Sequence, residues 1–342
     1  MYLISPEKNQ YKANLHCHSV LSDGKLTPEQ LKAAYKGQGY QVLAITDHET
    51  PRAHNEMSDP EFLMLTGYEV YIRDNPEGVY DVYASEVHLN LFARDPENET
   101  MICYNPWYCK YISQEEKDAL KKVGSQRPRE YNPAFINEFI RTAKENGYIV
   151  GYNHPVWSME SEENLLAYEG YFSIEMINYS SYTLNHTEYN GPLYDKLLCA
   201  GKRVFCNGSD DNHNKHPFGS PRNDSFGGFT MIMSDELKYD RIYEALETGE
   251  MYSSMGPVFK EVSFDGERLH VECSEVASIF VHYGSKSPAS VYADPGETIT
   301  SGDILLDQNC RYVRVSIVDR EGKYADTRGY TREELGLPAR ER

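Results

Sequence analysis

The sequence predicts an α/β fold in which strands alternate with helices to build a parallel sheet, followed by a smaller antiparallel β region. Three observations carry that expectation. Seven short apolar runs, starting near Lys12, Gln41, Phe62, Glu86, Tyr148, Phe172 and Arg203, recur through the first two thirds of the chain. Helix signals separate several of them, and alternating strands and helices favour a parallel sheet. Beyond Pro257 the rhythm changes to short runs of period two with turn residues between them.

The first strand covers residues 11–15. In an extended chain residues two apart share a side, so His16 and His18 project together, and Asp23 follows on a turn closed by Gly24. Thr27-Pro28-Glu29-Gln30 starts a helix: Thr27 caps, Pro28 suits the first turn, and Gln30 completes a capping box. Leu31, Ala34 and Tyr35 form its buried stripe, and Gly37 or Gly39 ends it. Val42-Leu43-Ala44-Ile45 is apolar without alternation, as a strand covered on both faces requires, and it runs into Thr46-Asp47-His48. The third run leads to Gly67-Tyr68-Glu69, and the fourth contains His88.

Residues 93–132 break the rhythm with Trp107, several tyrosines, Cys103, Cys109 and a charged stretch. They read as an insertion, either a surface elaboration or a lid over the ligand-bearing face. Asn132-Pro133 then opens a helix stopped by Gly147, and the next strand ends in Asn153-His154-Pro155. A short helix near 162–168, a strand at 172–178 and a helix near 189–200 follow. The strand from Arg203 ends in Gly208-Ser209-Asp210-Asp211-Asn212-His213. The expected division is a first domain over 1–256 and a small, sandwich-like β domain over 257–342.

Nearly every His and carboxylate of interest lies at or just after the C-terminal end of an apolar run, where α/β barrels place their chemistry. Imidazoles and carboxylates are metal-ligand types. In this order the residues resemble the PHP family, named for polymerase and histidinol phosphatase. The matching elements are His16 and His18, Asp23, Thr46-Asp47-His48, Glu69, His88, Asn153-His154-Pro155 and the acidic stretch ending at His213. The resemblance spans roughly residues 10–255. It implies a distorted seven-stranded β/α barrel holding two or three divalent ions (Mn, Fe or Zn) and hydrolysing phosphate esters by a metal-bridged hydroxide.

The ligand sets that it implies are His16, His18, Glu69 and one late Asp for a first ion. Glu69, His88 and His154 would hold a second, and Asp23, His48 and His213 a third. Either Asp210 or Asp211 is the late Asp. Asp211 is favoured, because it stands two residues from His213. Asp47 either orients a ligand or water or stabilises its turn. Arg222 offers bidentate phosphate contacts, with Lys215 and His216 nearby. His186 is a weaker candidate for the acid that protonates the leaving group. His54 and His270 read as surface residues.

With 34 basic and 53 acidic residues the formal charge is −19. Such a chain repels polyanions, which argues against nucleic acid and for a small phosphorylated substrate. A phosphodiesterase or nuclease, or a metal-binding module without turnover, are the competing readings. No apolar run reaches the ~18 residues a membrane span needs. The first residues, Met1 to Pro6, do not resemble a signal peptide. Seven cysteines without regular spacing then read as reduced thiols, and the expected location is the cytoplasm.

Overall fold

The structure, a computed structural model, describes residues 1–75, 79 and 81–339. Residues 340–342, at the end of the expected second domain, lie outside the described residues.

All seven expected strands form: Asn9–Asn14, Val42–Ile45, Leu63–Arg73, Glu86–Ala93, Tyr148–Tyr152, Ser173–Asn178 and Phe205–Ser209. They are hydrogen-bonded to one another in that order. The expectation of a parallel sheet needs one correction. Glu86–Ala93 runs antiparallel to both neighbours, whereas the other pairs in the row are parallel. The connection into that strand explains the reversal. A parallel return requires a crossover, usually a helix, and residues 74–85 hold no helix among those described.

The two ends of the row meet just beyond their strands. The His18 amide donates to the Asn212 carbonyl at 3.0 Å, and the Asp211 amide donates to the His16 carbonyl at 2.9 Å. These bonds form a parallel bridge between Cys17 and Asn212. Asn14 Nδ2 adds a buried bond to Asn212 Oδ1 at 3.1 Å.

The helices pack where their apolar faces demand. Pro28–Gly37 has the expected capping box, Thr27 with Gln30, and buries Leu31 and Tyr35. Pro133–Glu145 buries Phe135, Ile136, Phe139 and Ile140 in a cluster with Val87, Leu89 and Leu91. The insertion contains a short parallel pair, Met101–Ile102 with Lys122–Val123, and one helix, Gln114–Ala119.

The sheet does not stop at residue 256. Phe229–Ser234 pairs with Asn9–Asn14, and Met251–Ser254 pairs beside it. Met251–Ser254 in turn pairs with Tyr324–Thr327, so the sheet continues through Tyr312–Val318, Ser278–His282 and Ala289–Tyr292. A separate four-stranded antiparallel sheet holds Tyr2–Ile4, Phe259–Phe264, Arg268–Val276 and Ile299–Leu305. Val262, Val271, Ile279, Val315 and Ile317 are buried in one apolar cluster drawn from both sheets. Arg314, on the strand Tyr312–Val318, is buried as well. Its guanidinium bonds both oxygens of Asp195, on the helix Gly191–Cys199, at 2.7 and 2.8 Å, and Asp326 at 2.7 Å.

Candidate metal centre

Nine side chains converge at one end of the strand row: His16, His18, Asp23, His48, Glu69, His88, His154, Asp211 and His213. His16 and His18 leave the end of the first strand with their Nε2 atoms 3.2 Å apart. Glu69 lies between the histidines, with His48 Nδ1 at 2.9 Å, His88 Nδ1 at 3.0 Å and His16 Nε2 at 3.2 Å. Asp211 Oδ1 is 3.1 Å from His18 Nε2 and 3.2 Å from His16 Nε2. Asp23 Oδ1 faces His213 Nε2 at 3.4 Å and His18 Nδ1 at 3.8 Å.

The strand reversal accounts for His88. Glu69 sits inside Leu63–Arg73, a strand that runs past the expected end, and His88 stands near the start of Glu86–Ala93. Because that strand is reversed, its first residues lie at the end where the parallel strands finish. In register, His88 pairs with Tyr71 and Asn90 with Glu69.

Ligand atoms come together in four sets: His16, His18 and Glu69; His16, His154 and Asp211; His48, Glu69 and His88; and His18, Asp23, His48 and His213. His16, His18 and Glu69 of the implied first set come together, as do Asp23, His48 and His213 of the third, whereas His88 groups with His48 and His154 with Asp211. The donor set suits divalent cations. Glu69 Oε2 and His48 Nδ1 approach to 2.9 Å, yet neither has a hydrogen-bond partner among the described residues. Buried polar atoms left so are uncommon unless something else engages them.

Electrostatics point the same way. Burial alone would raise Glu69, but the charges of His16, His88 and His48 bring it well below the usual carboxylate range. Burial would likewise raise Asp211, and His16 and His18 reverse the shift. For His88 burial lowers the pKa, and Glu69 and Glu86 overcome this and raise it to about 10. Anionic oxygens and imidazole nitrogens are thus interleaved at ligand spacing. Backbone strain also gathers here: His154 and Asp211 adopt φ of 25° and 52°, and Glu49, beside His48, 50°. Left-handed non-glycine residues cost roughly 1–3 kcal/mol each and cluster at functional sites.

The structure narrows the open alternatives and moves two expected residues out of the site. Asp210 does not reach the group. Its oxygens are taken by Tyr35 Oη at 2.6 Å and by the amides of Phe226, Gly227 and Gly228 at 2.7 to 2.9 Å. Asp47 holds the turn after His18, accepting from the Ser19 amide at 2.8 Å and from the hydroxyls of Ser19 and Ser22, both at 2.5 Å. Arg222 and His186 are both exposed and neither lines the cavity at the ligands. The polar walls of that cavity, about 470 Å³, come instead from Arg73, Lys110 and Lys215, with Tyr111 and Trp157 beside them. A larger groove of about 750 Å³, between Thr50–Arg52 and the insertion, holds none of the nine ligands. His54, expected at the surface, is buried.

Three site residues escaped the sequence reading. Glu175 bonds His16 Nδ1 and the His154 amide, each at 2.9 Å, and so orients two ligands. Asp224 accepts from the His213 amide at 2.8 Å. Arg129 pairs with Glu49. Glu175 carried a signal: it is a charged residue inside the apolar strand Ser173–Asn178. Asp224 and Arg129, in irregular segments, carried none.

Residues 14–105 match the model of the PHP domain. That span holds six of the nine converging side chains, from His16 to His88. A 5'-3' exoribonuclease of Haemophilus influenzae is 35% identical over 143 residues, 41% of this chain and 50% of the relative. The chain thus spans about half the length of that curated relative. Among solved structures, a two-domain protein from Bacteroides vulgatus, described as containing a predicted PHP-like metal-dependent phosphoesterase, aligns with a TM-score of 0.46. It is 14% identical, over 93% of this chain and 92% of that one. An amidohydrolase from Chromobacterium violaceum aligns with a TM-score of 0.40 at 16% identity, over 70% of this chain and 96% of that one.

Proposed function

From the match of residues 14–105 to the PHP domain model, we propose that this protein is a metal-dependent phosphoesterase acting on small phosphomonoesters. The observation that carries the reading is the convergence of nine imidazoles and carboxylates on a cavity whose outer wall holds Lys110, Lys215 and Arg73. The strand row, closed by the Cys17–Asn212 bridge, serves as the family's seven-stranded barrel. Two or three divalent ions, held by the four ligand sets, would supply an acidified water and neutralise phosphate charge.

The chain's own residues do the rest. Glu175 fixes the ring of His16 and the backbone of His154, and Asp224 fixes the backbone of His213. Lys110 and Lys215 face incoming oxygens. The cavity suits a terminal phosphate better than a chain-internal one, and the charge of −19 disfavours a polyanion. The exonuclease reading has one specific support, the name of the Haemophilus influenzae relative. Turnover of p-nitrophenyl phosphate against its bis ester, and of small phosphomonoesters against oligonucleotides, all with added Mn²⁺, decides between them. Monoesters should be favoured at least ~10-fold, about 1.4 kcal/mol in the barrier. Processing of single strands with inert monoesters would overturn the monoesterase reading.

A further inference from the structure

The insertion is tied to the ligand group by a buried charge. Arg129, near its C-terminal end, is fully enclosed, as is its partner Glu49. The guanidinium grips both Glu49 oxygens, at 2.5 and 2.8 Å, and donates to the Tyr71 carbonyl at 2.8 Å. A fourth, longer contact reaches the Cys103 carbonyl at 3.5 Å, and the Tyr108 ring lies 4.4 Å from the guanidinium carbon. Each of these partners is next to something the site uses. Glu49 follows His48 directly and holds the strained φ of 50°. Tyr71 packs its ring against His48 and His88, both at 5.6 Å. Cys103 and Tyr108 lie in the stretch leading directly into Lys110 and Tyr111, which line the cavity wall.

We propose that Arg129 is a positioning residue: it locks the segment carrying His48, and with it the loop carrying Lys110 and Tyr111, into the geometry that holds metal and substrate. The insertion is then a fixed wall of the site and not a separate elaboration. The inference rests on the metal-site reading but not on the identity of the substrate. A single Arg129→Met change strands Glu49 in the interior and is expected to unfold the chain in part. The paired change, Arg129→Met with Glu49→Met, removes both charges, and such swaps are often neutral for stability.

Two variants carry the test, the paired Met variant and Arg129→Lys, which keeps the charge but not the forked geometry. Metal content after dialysis against graded free Mn²⁺, thermal melting, and kcat and KM for p-nitrophenyl phosphate are measured on each. The expected result is cooperative melting in both, about tenfold weaker binding of at least one ion per chain, and a raised KM. Wild-type metal affinity in either folded variant would reduce the pair to a structural tie and overturn the proposal. Should the paired variant fail to fold, Arg129→Lys alone decides. Should no phosphate ester turn over even in the wild type, the functional reading fails, while the metal titration still judges Arg129.

Discussion

At the scale of single residues, neighbours in sequence have opposite duties. Asp211 turns into the ligand group through a left-handed backbone, while Asp210 faces away and gathers three amides and a tyrosine hydroxyl. Asp211→Asn should therefore lower metal content by at least one ion per chain with little change in melting. Asp210→Asn should do the reverse, costing about 1–3 kcal/mol because an amide cannot accept at both ends. Elemental analysis and thermal melts on the two proteins check this, and the opposite pattern would refute it. The cationic wall gives a second pair. Lys215→Ala should raise KM for phosphomonoesters several-fold, whereas Arg222→Ala, at an exposed position outside the cavity, should leave kcat and KM as they are. The sequence showed which residue types would form the centre. It could not show Arg222 pointing elsewhere, because nothing in residues 215–222 fixes the direction of the loop.

At the scale of elements, the turn between His18 and Asp23 shows how tightly ligands are placed. A Cβ on Gly24 would stand 2.2 Å from the His18 carbonyl oxygen and 2.5 Å from its carbon, both backbone atoms that no rotamer change can move. Gly24→Ala should therefore shift Asp23, weaken metal binding and lower the melting temperature together. Unchanged metal affinity in that variant would show that Asp23 is dispensable. Strand positions and the Thr27 capping box were legible, because unbroken apolar runs and cap residues are local signals. Strand direction was not. Whether Glu86–Ala93 returns parallel or antiparallel depends on the linker and on long-range pairing, and it decides how His88 meets Glu69.

At the scale of the whole molecule, the C-terminal strands and the helix Gly191–Cys199 are joined through Asp195, Arg314 and His282. His282 Nδ1 lies 3.7 Å from Asp195 Oδ2. Burial first, and then the charge of Arg314, depress His282 to about 4. An imidazole whose folded pKa lies below the unfolded 6.5 binds fewer protons when folded. Its contribution is therefore complete above about pH 6.5 and declines as pH falls towards 4. The loss should reach about 3.4 kcal/mol, since 6.5 and about 4 differ by roughly 2.5 pH units at 1.36 kcal/mol each. His282→Gln should flatten that part of the stability profile in urea titrations, and a slope identical to wild type would count against it.

The bridge that joins Cys17 to Asn212 has a consequence in time. Asn14 and Asn212 meet across 198 residues of chain, and contacts so distant in sequence form slowly because the loop entropy must be spent first. The strands between can pair with near neighbours long before the two ends find each other. Until they do, His16 and His18 are apart from Asp211 and His213, and the half-made centre can bind ions in the wrong company. Refolding should show a slow final phase, retarded by Asn212→Ala. Mn²⁺ added before that phase should lengthen it, and Mn²⁺ added afterwards should only stabilise the product.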